Sequence, residues 1–309
     1  RAIGVQMSKK LMLLLAPVLV AAAFLAGCGG SDDQQPADTA TGGTTTQGDP
    51  VPEAQVATAS GIDHIHGLGV DPAGGELLMA THDGLWQVAS GASEAEPVGD
   101  SRDDFMGFTV VGPGSYLASG HPGPDSAQPP LLGLQASSDA GDSWQPRSLV
   151  GEADLHVLRA SGTQVYGVDS GTGAFLVSSD SGGSWQQHEL PAAAIDLAIA
   201  PDDPQRLVAV TQSGLYGSED AGETWRKLAS GPAGLLTWPE AKVLLLVDAG
   251  GKVMASSDGG KTFKRAGDIG APPEAFGSGD GTVLAAVAGG RVFSSSDDGK
   301  SWSAAVTPE

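Results

Sequence analysis

Cysteine is almost absent from this sequence, and basic side chains are scarce. The chain has one cysteine, Cys28, so it cannot form an internal disulfide bond. Its 16 lysines and arginines face 37 aspartates and glutamates, which gives a formal net charge of −21. So acidic a chain has no basic surface that could follow a phosphate backbone, and nucleic-acid binding is not predicted. Stability must come from the core, from polar turns or from bound ions.

Long apolar runs are also scarce, and the clearest one lies near the N-terminus, at residues 11–25. It follows Lys9 and Lys10 and leads into the sequence LAGC at residues 25–28. A run this short is typical of a signal peptide rather than of a membrane span. The ending resembles the lipobox of bacterial lipoproteins, which implies that Cys28 carries a lipid after cleavage. We expect residues 1–28 to be a signal peptide with a lipobox, in which cleavage leaves Cys28 as the lipidated N-terminus. The alternative is an ordinary secretory signal.

The next segment, residues 29–60, is rich in Gly, Thr, Asp, Gln and Pro. Such a composition buries too little apolar area to offset the entropy of ordering the chain. We therefore predict a disordered tether at residues 29–60, between a membrane anchor and a folded domain at residues 61–309. The lipid would hold the domain on the outer face of the bacterial cell membrane, and we expect a monomer.

One eight-residue phrase recurs in the folded part. The sequence SSDSGGSW occupies residues 178–185, and near-copies begin at residues 137, 218, 256 and 295. Their aspartates are 41, 40, 38 and 39 residues apart and comprise Asp139, Asp180, Asp220, Asp258 and Asp297. A period near forty indicates a repeat architecture.

Each repeat has four short apolar segments with period-two spacing, separated by Gly, Ser, Asp and Pro, which is typical of antiparallel strands. The sequence predicts an all-β protein, a β-propeller with six four-stranded blades. The predicted blades cover about residues 62–98, 104–150, 154–191, 195–230, 233–267 and 272–307. Seven blades are the alternative, if residues 51–60 pair with a terminal blade.

The repeated phrase resembles the Asp-box, or BNR repeat, of sialidases and other glycosidases, sortilin-type receptors and photosystem II assembly-factor-like propellers. The stretches HIHGLGVD (64–71), THDGLW (81–86), MGFTVVGPG (106–114) and SGHPG (119–123) are similar to those of bacterial lipoproteins usually labelled glycosyl hydrolases or exo-α-sialidases. The resemblance implies a fold, not an activity. It also implies that the repeated aspartates are turn residues, because such carboxylates accept backbone N–H groups in tight turns.

A sialidase would hold its sugar carboxylate with three arginines, because the planar guanidinium binds a carboxylate at two points. In a propeller, the loops before the first strand and after the second strand of each blade share the face where sites form. Beyond residue 28, only Arg102 and Arg291 are predicted near that face. The others are predicted at the rim or on the opposite face: Arg147, Arg226 and Arg265 at the rim, Arg159 and Arg206 opposite. A typical exo-sialidase is therefore not predicted.

Other glycosidases need only two carboxylates with separated pKa values. Eight candidates are predicted on or near the site face: Asp63, Asp83, Asp103, Asp104, Asp154, Asp169, Asp196 and Glu274. The sequence does not choose a pair among them, and whether the protein is an enzyme stays open.

The histidines are less scattered than the arginines. Of six, only His188 is predicted in an outer strand, and the other five are predicted near the site face of blades one to three: His64, His66, His82, His121 and His156. Neutral imidazoles with nearby carboxylates suit zinc or copper, and the thioether of Met106 would favour copper. The alternatives are local hydrogen bonding and contacts with a substrate.

We predict that the functional site lies at the channel mouth formed by blades one to three. Three classes of function remain open for this site. The usual label of the similar lipoproteins suggests a glycosidase-like enzyme. A non-catalytic propeller that binds a protein or a glycan, or assists assembly, needs no special residues. A copper- or zinc-binding protein of the cell envelope would explain the histidines.

Overall fold

The computed structural model describes residues 56–62, 64–124, 126–229 and 231–308. Cys28, Asp63, the predicted signal peptide and most of the predicted tether lie outside these residues. Within them the regular structure is all β, and no helix is long and apolar enough to span a membrane.

The strands follow one another in chain order. A short strand, β1 (Ala57–Ala59), comes first. Blade 1 contains β2 (Ile65–Val70), β3 (Leu77–Thr81), β4 (Gly84–Val88) and β5 (Glu96–Pro97), and blade 2 contains β6 (Asp104–Gly112), β7 (Ser115–His121), β8 (Leu134–Ser137) and β9 (Gln145–Ser148). Blade 3 contains β10 (Leu155–Ser161), β11 (Gln164–Asp169), β12 (Phe175–Ser178) and β13 (Gln186–His188), and blade 4 contains β14 (Ala194–Ala200), β15 (Asp203–Thr211), β16 (Gly214–Ser218) and β17 (Arg226–Ala229). Blade 5 contains β18 (Gly234–Glu240), β19 (Val243–Asp248), β20 (Lys252–Ser256) and β21 (Lys264–Asp268), and blade 6 contains β22 (Pro273–Gly279), β23 (Thr282–Val287), β24 (Arg291–Ser295) and β25 (Ser303–Pro308).

Each blade is an antiparallel sheet whose strand order follows the chain, so the prediction of a six-bladed β-propeller is confirmed. β1 pairs in parallel with β25 and becomes a fifth strand of blade 6. Thr58 also exchanges backbone hydrogen bonds of 2.7 Å with Ser93 and Ala95, next to the outer strand of blade 1. The strand therefore joins the last blade to the first.

The position of β1 corrects two expectations. Residues 51–60 do pair with a terminal blade over residues 57–59, but they extend that blade and form no seventh one. Residues 57–59, which were predicted to belong to a disordered tether at residues 29–60, therefore form a strand of the propeller. The reason is that Ala57 and Ala59, with a threonine between them, are small enough to be buried against blade 6.

The core lies between neighbouring blades, because each sheet has apolar side chains on both faces. Between blades 1 and 2, for example, Leu78 and Leu85 of blade 1 pack with Phe105 and Phe108 of blade 2. All four are buried. The period-two apolar pattern of each strand thus becomes a set of interblade layers.

The repeated phrase forms the turn between the third and fourth strands of a blade. In blade 3, Ser178 Oγ donates to Asp180 Oδ1 at 2.7 Å and accepts from Gly182 N at 2.9 Å. Asp180 also accepts from Ser184 N at 2.8 Å and from Ser184 Oγ at 2.7 Å. These hydrogen bonds lower the pKa of Asp180 well below its usual range, and the one from the Ser184 backbone N–H has the largest effect. The charged carboxylate thus organises the turn.

The same contacts recur in the other four turns, around Asp139, Asp220, Asp258 and Asp297. Hydrogen bonds from Thr262, for instance, lower the pKa of Asp258 to about 2. Gly182 has a φ of 79° in its turn, and a Cβ there would lie 2.2 Å from Leu134 Cδ2 of blade 2. The phrase therefore needs glycine both for its backbone shape and for contact with the preceding blade.

A buried carboxylate links blades 1 and 2. Asp71, just after β2, accepts from the Tyr116 hydroxyl at 2.5 Å and from Gly114 N at 2.8 Å. Burial opposes ionisation of Asp71, but the donors of Tyr116, Ala73 and Gly114 keep its pKa below the usual value. The hydroxyl of Tyr116 therefore faces a charged acceptor.

Replacing Tyr116 with phenylalanine is expected to lower the free energy of unfolding by about 1.5–3 kcal/mol, because a buried charged acceptor loses a donor. Tyr166→Phe is the matched control, since its hydroxyl donates at 2.7 Å to a neutral carbonyl, that of Pro204. The control is expected to cost about 0.5–1.5 kcal/mol. Urea unfolding of both variants measures the difference, and equal losses would contradict the role given to Asp71.

Candidate functional site

A β-bulge near the start of the first strand re-aims one residue in five of the six blades. In blade 1, Ile65 pairs with Thr81 and Gly67 pairs with Ala80, so His66 is the extra residue. The extra residues of all five bulges are His66, Met106, His156, Ile195 and Glu274. All five line one cavity of about 380 Å³, which the first strands of the six blades surround. Bulges redirect side chains in this way at many functional sites.

The first histidine cluster consists of His64, His66 and His82. His64 precedes β2, His66 is its bulged residue, and His82 follows β3. The rings of His64 and His66 stack with centroids 4.5 Å apart, and those of His66 and His82 lie 4.4 Å apart. One ring nitrogen from each residue lies within 4.8 Å of the other two. Small side-chain movements would bring all three nitrogens onto one metal ion.

Asp104, the first residue of β6, orients this cluster from blade 2. His82 Nδ1 lies 2.9 Å from Asp104 Oδ1. A carboxylate can only accept here, so Nδ1 of His82 is the donor and its Nε2 carries the lone pair in the neutral ring. His82 Nε2 in turn lies 3.3 Å from His66 Nε2. Carboxylates that fix an imidazole in this manner are typical neighbours of metal ligands.

The ring of His66 is held neutral. Its burial, and then the neighbouring His64 and His82, lower its pKa to about 4. Only the neutral imidazole has a lone pair for a metal. His66 is therefore ready to bind a cation at pH 7 without first losing a proton.

In the metal-free protein we expect the ring resonances of His66 to titrate with a midpoint of about 4. The unfolded chain binds this proton below about pH 6.5, whereas the folded chain binds it only near pH 4. The unfolded state then holds more protons between these values, so the contribution of His66 to stability is complete above pH 6.5 and declines as the pH falls towards 4. An NMR titration tests this prediction. A midpoint near 6.5 would contradict the burial of His66 and its close contact with His64 and His82.

The second histidine cluster consists of His121, Asp154 and His156. His121 ends β7 directly across from Asp104, Asp154 precedes β10, and His156 is the bulged residue of β10. Asp154 Oδ2 lies 2.7 Å from His156 Nε2 and 3.4 Å from His121 Nε2. Ligand atoms of all three lie within 4.8 Å of one another.

The charges of the second cluster are coupled. Burial opposes ionisation of Asp154, yet hydrogen bonds from His156 and Ser170 and the nearby charges of His156 and His121 keep its pKa below the usual value. The hydrogen bond with Asp154 raises the pKa of His156. The carboxylate of Asp154 is therefore favoured in its ionised form, with either a donated proton from His156 or a cation beside it.

The other candidate carboxylates serve different contacts. Asp169 accepts from the Asp154 backbone N–H at 2.9 Å, and from the Thr172 hydroxyl and N–H at 2.5 and 3.0 Å. It is buried and fixes the segment that carries Asp154. Glu274 lines the central cavity, and its Oε2 is buried without a hydrogen-bond partner among the described residues.

Asp196 belongs to an ion pair within the channel. Its Oδ1 lies 2.7 Å from Arg159 Nη2, and the backbone N–H groups of Leu197 and Leu236 also donate to its carboxylate. Burial raises the pKa of Asp196, and Arg159 and the two N–H groups partly offset this. The sequence predicted Arg159 towards the opposite face, and it does lie near the β10–β11 turn, away from His156. Its side chain lines the central cavity, where it pairs with Asp196 of the next blade.

Sequence reasoning did not connect Asp104 with the histidines, although it placed Asp104 among the carboxylates of the site face. The available signal was position, since Asp104 opens a first strand just as Asp154 precedes one. It also did not foresee the bulges, which depend on the pairing of two strands and leave no local pattern.

Comparisons with known proteins agree with the fold. No protein-family model matches the chain, and no curated protein matches it. Among solved structures, PorZ, a bacterial surface component of the type-IX secretion system of Porphyromonas gingivalis, is 12% identical, with a TM-score of 0.53 over 81% of this chain and 39% of its own. The chain shares the β-propeller fold. Identity this low extends the likeness to nothing beyond architecture.

Two further propellers are similar at lower scores. YCF48 from Cyanidioschyzon merolae is 15% identical, with a TM-score of 0.48 over 82% of this chain and 86% of its own. The GH74 xyloglucanase from Xanthomonas campestris is 17% identical, with a TM-score of 0.49 over 82% of this chain and 46% of its own.

Proposed function

We propose that this propeller binds a transition-metal ion, zinc or copper, at the first histidine cluster. The observation that carries the proposal is the convergence of His64, His66 and His82 to within 4.8 Å at their ring nitrogens. Three imidazoles and one open position are a common ligand set for zinc. A carboxylate already orients one of the rings, as it does around many bound metals.

The electrostatics of the cluster also suit a cation. Three imidazoles packed this closely cannot all be protonated without mutual repulsion, and the lowered pKa of His66 reflects that. A divalent ion would replace this repulsion by coordination. The chain is also strongly acidic, with a net charge of −21, so its surroundings attract cations.

The thioether of Met106 bears on the choice of metal. Met106 lines the central cavity together with His66 and His156, each of the three being a bulged residue of its blade. Imidazole binds zinc and copper alike, whereas a thioether ligand selects copper, most of all copper(I). We propose copper as the ion if the sulfur of Met106 joins the imidazoles, and zinc if it does not.

A ligand-binding or hydrolytic role in the central cavity is the second candidate. Glu274 supports it, because one oxygen of its carboxylate has no hydrogen-bond partner among the described residues. Asp196, which lines the same cavity, is already paired with Arg159. A pair of free carboxylates, which a glycosidase requires, is thus less well supported than a metal site. This second candidate does not include the three arginines with which a sialidase would hold its sugar carboxylate.

We further propose that the site faces the outside of the cell. The lipobox-like LAGC ending at Cys28 supports a lipid anchor in the cell membrane, followed by a tether. Zinc and copper would then be taken up from the extracytoplasmic medium. A protein or glycan partner at the same channel mouth is compatible with this location.

Isothermal titration calorimetry of the purified protein with Zn²⁺, Cu²⁺ and, under reducing conditions, Cu⁺ tests the proposal. We expect at least one tight equivalent of zinc or copper, and none of Mg²⁺, which imidazoles bind poorly. Release of reducing sugar from glycoside substrates, in place of metal binding, would instead favour the second candidate.

A further inference from the structure

We propose that His121, Asp154 and His156 form a second metal site, which binds a divalent transition-metal ion of the zinc class independently of the first cluster. The inference goes beyond the proposed function because it uses none of the three histidines of that site. It rests on hydrogen-bond geometry around one buried carboxylate oxygen.

The ring of His121 is fixed by a backbone carbonyl. Its Nδ1 lies 3.1 Å from the carbonyl oxygen of Pro130. A carbonyl only accepts, so Nδ1 carries the hydrogen and Nε2 of the neutral ring carries the lone pair. That lone pair faces Asp154 Oδ2 at 3.4 Å, which is itself an acceptor. Two lone pairs at this distance repel each other, and a metal ion between them would replace the repulsion by coordination.

Asp154 has unused capacity to bind a cation. Its side chain is only 6% exposed, and Oδ1 is buried without a hydrogen-bond partner among the described residues. Ser170 Oγ donates to Oδ2 at 2.7 Å, and the N–H of Asp154 donates to Asp169. The carboxylate is thus held rigidly while one oxygen lacks a partner, an expensive arrangement for a buried charge.

The imidazole of His156 completes the set. Its Nε2 lies 2.7 Å from the same oxygen, Asp154 Oδ2, and its position is set by the bulge in β10. A metal ion that displaced the shared proton would receive two imidazole nitrogens and a carboxylate oxygen. Two histidines with one carboxylate and an open position form a known zinc ligand set.

The test compares zinc and cobalt binding in variants of the intact protein. Calorimetry with Zn²⁺ is expected to give two equivalents for the unchanged protein and one for His121→Gln, whose side chain is 41% exposed and tolerates replacement. Ser170→Ala is expected to keep two equivalents but to weaken one by about tenfold, because Ser170 only positions Asp154. His188→Ala, outside both clusters, is the control and should leave both equivalents unchanged.

The absorption spectrum of bound Co²⁺ provides an independent readout, since the bands of the second equivalent should disappear in His121→Gln. A single zinc equivalent that is lost in His64→Ala/His66→Ala would overturn the second site and leave the proposed function standing. Conversely, one equivalent that survives that double variant and is lost in His121→Gln would support the second site and remove the first. Two equivalents unaffected by His121→Gln would also overturn the inference.

Discussion

Replacement of both His64 and His66 by alanine is expected to weaken zinc or copper binding at the first cluster by at least about 100-fold. Even the loss of a residue that merely orients a ligand costs about 10- to 100-fold in affinity, and this variant removes two ligands themselves. Only His82 and its partner Asp104 would remain, and these cannot enclose an ion. Calorimetry or competition with a chromophoric chelator measures the change.

A control and a second variant accompany this double replacement. His188→Ala removes a histidine from the outer strand β13 and should leave the affinity unchanged. Asp104→Asn keeps the shape of the side chain but removes its charge, so the affinity is expected to fall by about 10- to 100-fold. Full affinity in the double variant would show that the metal binds elsewhere.

The second large effect is expected from Gly107→Ala, at the contact between blades 2 and 3. A Cβ on Gly107 would lie 2.0 Å from the carbonyl oxygen of Leu155 and 3.1 Å from Leu158 Cβ. The obstacle is backbone, so β10 itself must move away. We expect unfolding to become easier by about 3 kcal/mol, at the upper end for overpacked sites. Chemical denaturation measures the loss.

The same variant should affect the second cluster. Leu155 lies between Asp154 and His156, so a displaced β10 moves two of the three residues of that cluster. Gly112→Ala is the matched control, because Gly112 lies in the same strand and a Cβ there would meet nothing within 4 Å. If both variants unfold at the same denaturant concentration, the clash expected between residue 107 and β10 is absent.

The fold could be predicted largely because each blade repeats a local pattern. The third predicted blade, at residues 154–191, contains β10 to β13, which run from residue 155 to residue 188. Period-two spacing and turn residues are local properties, and five near-identical phrases set the period. β1 could not be predicted in this way, because its partners are distant in the sequence. It pairs with β25 at the opposite end of the chain and contacts Ser93 and Ala95, which are more than 30 residues away.

The candidate site could be predicted only in outline. The sequence indicated one face for five histidines, and the structure separates them into two clusters with different partners. The reason is that bulges in β2 and β10 turn His66 and His156 into the channel, and a bulge is a property of two paired strands. The ion pair of Arg159 could not be predicted for a similar reason, since its partner, Asp196, comes from the next blade.

Anomalous diffraction from a crystal of the zinc- or copper-loaded protein tests the central claim most directly. The account predicts a peak at the metal absorption edge about 2.0–2.1 Å from nitrogens of His64, His66 and His82. A protein that binds the metal in solution but shows no peak near these three rings, or shows it only at surface carboxylates, would contradict the claim that the first histidine cluster is a metal centre.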